Sequence, residues 1–225
     1  MNTYDDLAEE LLTKVKLLPK DGQFWLGIAG SPGSGKSTLA AALKERLNEL
    51  LMVIPQDGYH YYRSQLDQMS DPITAHIRRG SPFTFDAERL VSDLIKARNL
   101  GKGEFPSFDH RVADPVEKDI QLSNSDKIIV VEGNYLLLNA EPWCRLKKDV
   151  FDESWCLDVP VQESNRRVIQ RHMKIGLNKE QAKNRVIDND GMNAELVMNE
   201  SPSNADRMIK LCILNESVRQ TMTTS

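Results

Sequence analysis

Phe24-Trp-Leu-Gly-Ile-Ala-Gly-Ser-Pro-Gly-Ser-Gly-Lys-Ser-Thr38 begins as an unbroken apolar run and turns abruptly into glycine and serine before closing on Lys36-Ser37-Thr38. Six apolar residues between turn signals read as a buried strand. The residues that follow, Gly30-x-x-x-x-Gly35-Lys36-Ser37, fit the phosphate-loop pattern in full. Glycines let the backbone turn tightly and approach a phosphate closely. The amide groups of Gly30, Ser31, Pro32, Gly33, Ser34, Gly35, Lys36, Ser37 and Thr38, proline excepted, are then candidates to face the negative charge, aided by the helix N-terminus behind them. Lys36 is the candidate point charge on the β- and γ-phosphates, and the Ser37 hydroxyl is a candidate Mg²⁺ ligand. The expected cofactors are ATP and Mg²⁺.

Working outward, the segment after the loop is rich in Ala, Leu, Lys and Glu to residue 50, a helix pattern, and Leu51-Met-Val-Ile54 is a second strand. Further apolar runs at 127–132 and 154–159, with a last one at 205–213, are separated by helical patterns. Continuous apolar strands alternating with helices indicate a parallel sheet covered on both faces. Residues 3–18 form an amphipathic helix, with Leu7, Leu11, Leu12, Val15 and Leu18 on one side and Thr3 with Asp6 as a capping pair. Either it packs on the sheet or it is an arm for a partner. The connection from 56 to 126 is far longer than most α/β connections and holds one clear helix, about 86–99. An insertion at the carboxyl ends of strands is where a substrate pocket is built. Two helical patterns, 161–174 and 178–189, follow Pro160. One domain spanning 1–225 is expected, with an acceptor-site insertion over 56–126 and a helical lid over 161–190.

The chain has 225 residues, 40% hydrophobic and 28% charged, with a net charge of −4. That balance gives no basic field for a nucleic acid polymer. No apolar run approaches the length of a membrane span, and no apolar signal core opens the chain. Cys144, Cys156 and Cys212 are widely spaced and odd in number, which points to reduced thiols and a cytoplasmic location. The oligomeric state is not readable.

Beyond the loop, three features bear on chemistry. Asp57 stands just past the second strand, where a carboxylate can accept a proton from an attacking hydroxyl, although Asp57-Gly58 is also a common turn pair. Glu132 ends the third strand before Gly133, a position suited to completing a Mg²⁺ shell. Arg166, Arg167 and Arg171 share one helix with His172 and Lys174. Such a helix either closes over ATP to neutralise developing charge or presents a solvated basic face.

Taken together, these residues resemble the uridine kinase, pantothenate kinase and phosphoribulokinase superfamily of P-loop kinases, over about residues 25–208. The resemblance implies a three-layer α/β fold with a five-stranded parallel sheet of order 2-3-1-4-5. It implies that Asp57 is the catalytic base, that Glu132-Gly133 is the acidic pair at the metal, and that Arg167 and Arg171, following Asp158-Val159-Pro160, are lid arginines. It also implies a phosphoryl transfer to the hydroxyl of a small metabolite. The candidate acceptor residues are Tyr59, His60 and Arg79, with Phe83 from Arg78-Arg-Gly-Ser-Pro-Phe-Thr-Phe-Asp86, and Phe108, Asp109 and His110 from Phe105-Pro-Ser-Phe-Asp-His110. Phe85 and Phe105 read as core. Uridine kinases carry Asp-His-Pro where this chain has Gly80-Ser81-Pro82, so a ribose-binding carboxylate is missing there. Asp57-Gly58-Tyr59 and Pro106-x-Phe108-Asp109-His110 are closer to pantothenate kinases. The reading is a nucleoside kinase-like enzyme, with a pantothenate- or sugar-type acceptor as the alternative. From another class, an NTP-hydrolysing switch would be expected to show an Asn-Lys-x-Asp-type base-reading segment if it bound guanine, and none is present.

Overall fold

The computed structural model describes residues 2–109 and 111–212. His110 therefore lies outside the described residues. The chain opens with α1 (Tyr4–Lys16), whose first turn is closed by the reciprocal pair Asp6 N–H to Thr3 Oγ1 at 3.1 Å and Thr3 N–H to Asp6 Oδ2 at 2.9 Å. It is followed by β1 (Phe24–Ala29), α2 (Lys36–Leu47) and β2 (Leu51–Pro55). Residues 56–126 then hold a 3₁₀ turn (Gln56–Tyr59), two short helices α3 (Arg63–Leu66) and α4 (Pro72–Ile77), the helix α5 (Ala87–Leu100), and an antiparallel pair β3 (Gly103–Asp109) and β4 (Asp114–Leu122). The chain returns to the sheet with β5 (Ile128–Gly133), crosses α6 (Cys144–Asp149) and enters β6 (Glu153–Leu157). The helices α7 (Val161–Lys174) and α8 (Lys179–Arg185) lead through a π-helical turn (Val186–Asp190) into α9 (Gly191–Asn204) and the edge strand β7 (Arg207–Ile209).

The main sheet has the order β2-β5-β1-β6-β7, and every pairing in it is parallel. Counting only its own strands, this is the expected 2-3-1-4-5 arrangement. Because side chains alternate along a strand, each central strand feeds both faces. Trp25, Ile129 and Val131 point into a core shared with α5, α6, α9 and the hairpin strand β3. Leu26, Ile28, Ile128 and Val130 point into the opposite core, which α1 and α2 cover. Leu7 and Leu11 are fully buried there against Leu39 and Leu43, each side chain contributing roughly 2 kcal/mol by removal from water. The amphipathic face of α1 is thus spent on the sheet layer rather than left for a partner.

The β3–β4 hairpin was not visible as a strand pair in the sequence. Its outer residues are polar, and only Phe105, Pro106, Pro115 and Leu122 are buried. Its anchor is a close backbone approach: a Cβ at Gly58 would lie 2.1 Å from the Pro106 carbonyl oxygen. Only glycine lets β3 run directly over the turn that carries Asp57. Helix α9 was also missed. Gly191, Asn193 and Pro202 are poor helix residues, yet the helix forms because Asn193, Ala194 and Val197 are buried in the fold. Among the described residues no helix is long and apolar enough to cross a membrane.

Candidate active site

A cleft of about 520 Å³ opens along the carboxyl ends of β1, β2 and β5. Its floor is the loop between β1 and α2. Gly33 and Gly35 have φ of +79° and +100°, a conformation L side chains rarely adopt. A Cβ at Gly35 would meet nothing within 4 Å, so the loop there faces open cleft. Lys36 is only 8% exposed and curls back so that its Nζ donates to the Ser31 carbonyl at 3.0 Å. Burial holds its ammonium below the usual lysine range, opposed by the charges of Glu132 and Asp57.

Register in the sheet delivers the acidic partners. Glu132 on β5 lies level with Ile28 of β1 and Pro55 of β2. Its Oε1 accepts from the Ser37 hydroxyl at 3.0 Å. Burial pushes the Glu132 carboxyl above its ordinary range; Lys36 pulls it down and the Asp57 charge pushes it further up. Asp57 itself sits in the 3₁₀ turn that follows β2 and lines the cleft. That turn is pinned from below, because Gln56 Oε1 accepts from the Tyr135 backbone N–H at 2.9 Å.

The expected acceptor residues divide. His60 lines the cleft, its Nδ1 2.9 Å from the Asp57 carbonyl oxygen and its ring 4.0 Å from Phe85 and 4.9 Å from Phe108. Arg79 also lines it, bonded to Asp114 Oδ1 and the Tyr61 carbonyl at 3.0 Å each and to the Ala113 carbonyl, with Phe108 beneath its guanidinium. Tyr59 does not line it. It is 1% exposed, in the core, with its hydroxyl on Asp93; at three residues per turn, a 3₁₀ turn sends side chains two positions apart in different directions, so Tyr59 turns inward while Asp57 faces the cleft. Phe83 is 51% exposed and lies in a separate shallow depression beside Tyr61 and Pro142. Asp109 is not part of the lining either; its carboxylate accepts from the backbone and guanidinium of Arg111. Phe85, expected only in the core, is 3% exposed yet forms part of the cleft wall.

Helix α7 lies directly on the loop. The Ser31 and Ser164 hydroxyls are 2.8 Å apart, and a Cβ at Gly33 would be 2.6 Å from the Ser164 carbonyl and 2.8 Å from Val168. Arg167 and Arg171 line the cleft, Arg167 with its Nε on Glu163 Oε1 at 2.7 Å. Arg166 points outward onto the same glutamate. His172, on the expected lid helix, also lines the cleft, and sequence reasoning missed Asn134, Arg185, Asp190 and Asn193, which complete the wall. Asp190 accepts from or pairs with His172 Nε2 at 2.9 Å, each side chain 14% exposed. The buried Asn189 and Asn193 bond to Ser81 and to the Arg79 and Gly80 carbonyls, tying the π-turn to the Arg78–Ser81 segment. A π-turn inside an unremarkable helical pattern is the one local signal of that site, and no periodicity in the sequence announces it.

The comparisons with known proteins agree with this geometry. The model of the phosphoribulokinase/uridine kinase family matches residues 25–152. A Schizosaccharomyces pombe protein named "Putative uridine kinase C227.14" is 37% identical over 206 residues, 88% of this chain and 86% of its own length. "ATP-dependent kinase YFH7" of Kluyveromyces lactis is 27% identical over 92% of this chain and 71% of its own. Among solved structures, a "putative fructose transport system kinase" from Silicibacter sp. TM1040 superposes with a TM-score of 0.79 at 31% identity, covering 93% of this chain and 100% of that one. A family model over more than half the chain and a relative matched across most of both lengths make this protein an ATP-dependent kinase of the phosphoribulokinase/uridine kinase family.

Proposed function

We propose that this kinase transfers the γ-phosphoryl group of ATP to a hydroxyl of a small, hydroxyl-rich acceptor of nucleoside type, with Asp57 as general base. The observation that carries the reading is the cleft position of Asp57, close enough to Lys36 and Glu132 for its charge to act on both. Asp57 takes the acceptor proton as the acceptor oxygen bonds to the γ-phosphorus; the bond to the β-phosphate oxygen breaks and ADP leaves. Lys36 holds the β- and γ-phosphates, and Arg167 and Arg171, on a helix acting as a lid, neutralise charge that develops during transfer. The Arg171 guanidinium lines the cleft near enough to Lys36 for their charges to interact, where a phosphate would meet both.

The residues present fit a magnesium-bound nucleotide. Mg²⁺ keeps waters and phosphate oxygens and uses one or two protein groups rather than a protein cage. Among the described residues no cluster of three or more His, Cys, Asp or Glu side chains could hold a metal alone, whereas Ser37 and Glu132 stand 3.0 Å apart at the loop. Burial disfavours the charges on both Glu132 and Lys36, a pattern that a cation and a polyphosphate would complete. Ser37 and Glu132 are the residues that would hold the ion, which when bound screens the phosphate oxygens during transfer.

The acceptor end supports a nucleoside-type molecule through the ledge of His60 on Phe85 and Phe108, which suits a planar ring, and through Asp190 and Asn134, which suit hydroxyls. A sugar-type acceptor is the second reading. It is favoured by Gly80-Ser81-Pro82, where Ser81 is buried against Asn189 and Asn193 and no carboxylate is offered. The test is ATP turnover across uridine, cytidine, D-fructose, pantothenate and D-glycerate, in wild type and Asp57→Asn. Stimulation by one nucleoside, lost in Asp57→Asn while Mg-ATP affinity stays within a few fold, is expected. Stimulation by fructose alone selects the second reading. Hydrolysis that no acceptor stimulates would remove the acceptor assignment altogether.

A further inference from the structure

The site described so far accounts for phosphates and acceptor but not for the base of the nucleotide. Sheet order indicates where the base must lie. The loop sits on β1 at the centre, and Asp57 follows β2, two strands away on one side. An ATP whose γ-phosphate points toward Asp57 therefore extends the other way, over β6 and β7. Two strand spacings are roughly 10 Å, a distance that an extended ribose triphosphate spans.

At that far end the cleft is lined by Tyr4, Thr38 and Leu211. Tyr4 arrives there through a device separate from the nucleotide loop. Residue Asn2 adds a parallel bridge to Leu211 beyond the main sheet, with Asn2 N–H on the Lys210 carbonyl and Cys212 N–H on the Asn2 carbonyl, 2.9 Å each. The Thr3 cap then starts α1 with Tyr4 as its first residue. Tyr4 and Leu211 both pack on the core that α1 and α2 share. The Arg46 guanidinium lies 5.4 Å from the Tyr4 ring centre and is itself held by Asp5. The ring is thus fixed rather than swinging, half-buried, and still part of the cleft wall.

We propose that Tyr4 and Leu211 form the platform for the adenine ring of ATP, so that the amino-terminal helix completes the nucleotide site. This rests on ATP being the phosphoryl donor and is independent of the acceptor. An aromatic face and a leucine offer stacking and apolar contact to a planar heterocycle, without reading its edge.

The test separates base from phosphates in the full-length chain. Binding of ADP and of inorganic tripolyphosphate is measured by calorimetry for wild type, Tyr4→Ala, Tyr4→Leu and Tyr4→Phe, with melting curves to show that each is folded. Tyr4→Ala is expected to weaken ADP about tenfold, in line with loss of one base–aromatic stack, and to leave tripolyphosphate within twofold. Tyr4→Leu fills the space without an aromatic face and keeps α1 packed; it should lose ADP affinity likewise, while Tyr4→Phe keeps it. Unchanged ADP affinity in a folded Tyr4→Leu or Tyr4→Ala protein overturns the proposal. So does an equal loss for ADP and tripolyphosphate, which would assign Tyr4 to the loop or the fold. Failure of tripolyphosphate to bind wild type counts against the phosphate-loop reading instead, and the ADP arm still decides Tyr4.

Discussion

Replacing Gly33 by alanine tests whether the contact between the phosphate loop and α7 is part of the working site. Two effects add at this position. The φ of +79° is strained for any residue with a Cβ, at about 1–2 kcal/mol. The added methyl would also stand 2.6 Å from the Ser164 carbonyl oxygen and 2.8 Å from Val168 Cγ2, where ordinary contact begins at 3.4 Å. Going from 2.6 Å to 3.4 Å requires α7 or the loop to retreat by about 0.8 Å. Val168 lies on the same helix as Arg167 and Arg171, so the retreat moves both arginines and stretches the Ser31–Ser164 bond. Misplacement on the order of 1 Å costs up to about 10²-fold in a reaction that depends on positioning. Gly33→Ala is therefore expected to lower kcat by about 10–10²-fold with a modest drop in Tm. Gly35→Ala, whose methyl meets nothing within 4 Å, is the control. It carries the backbone strain without the clash, and its methyl enters the open cleft, so it should raise the KM for ATP more than it lowers kcat. Steady-state kinetics on both variants, with thermal melting, make the comparison. A Gly33→Ala enzyme with kcat within twofold of wild type would refute the reasoning, since the docked α7 would then have no part in catalysis.

Other outcomes follow from the same geometry. Lys36→Ala should cost roughly 10²–10³ in rate, as expected for loss of a preorganised charge on the transferring group, with the fold retained by circular dichroism; wild-type turnover would rule out this loop as the active site. Arg171→Ala should lower kcat more than it weakens ATP binding, because its charge is needed most in the transition state. A change confined to ATP affinity would make Arg171 a ground-state contact.

The candidate positions at the main sheet were legible because a strand or the loop it feeds places each of them. A continuous apolar run reads as a strand, and what stands at its end is delivered to the sheet's carboxyl edge. Glu132 stands at the end of β5, Asp57 just past β2, and Lys36 and Ser37 where the loop after β1 enters α2, and all four line the cleft. Thr3 and Asp6 announced the start of α1 for an equally local reason, since a capping box closes within four residues. Tyr59 and Phe83, expected at the acceptor site, do not line the cleft; a loop sequence carries no period from which facing can be read. The direction of each side chain there is decided by what packs against the loop: β3 over Gly58, and Asp93 beneath Tyr59.

By itself, then, the sequence determined the α/β class and the nucleotide loop, since these depend on short-range pattern and on residues adjacent in the chain, whereas the strand order was implied only by the family resemblance that those residues carry. Only the tertiary structure decided the walls of the cleft. Asp190 and Asn193 reach it through a π-turn and an asparagine network that bonds to residues more than a hundred positions away. Tyr4 reaches it because Asn2 pairs with Leu211 across nearly the whole chain. Such contacts form between residues that share no local signal, and they come together only when burial of both faces of the sheet has brought Asn2 and Leu211 to one edge.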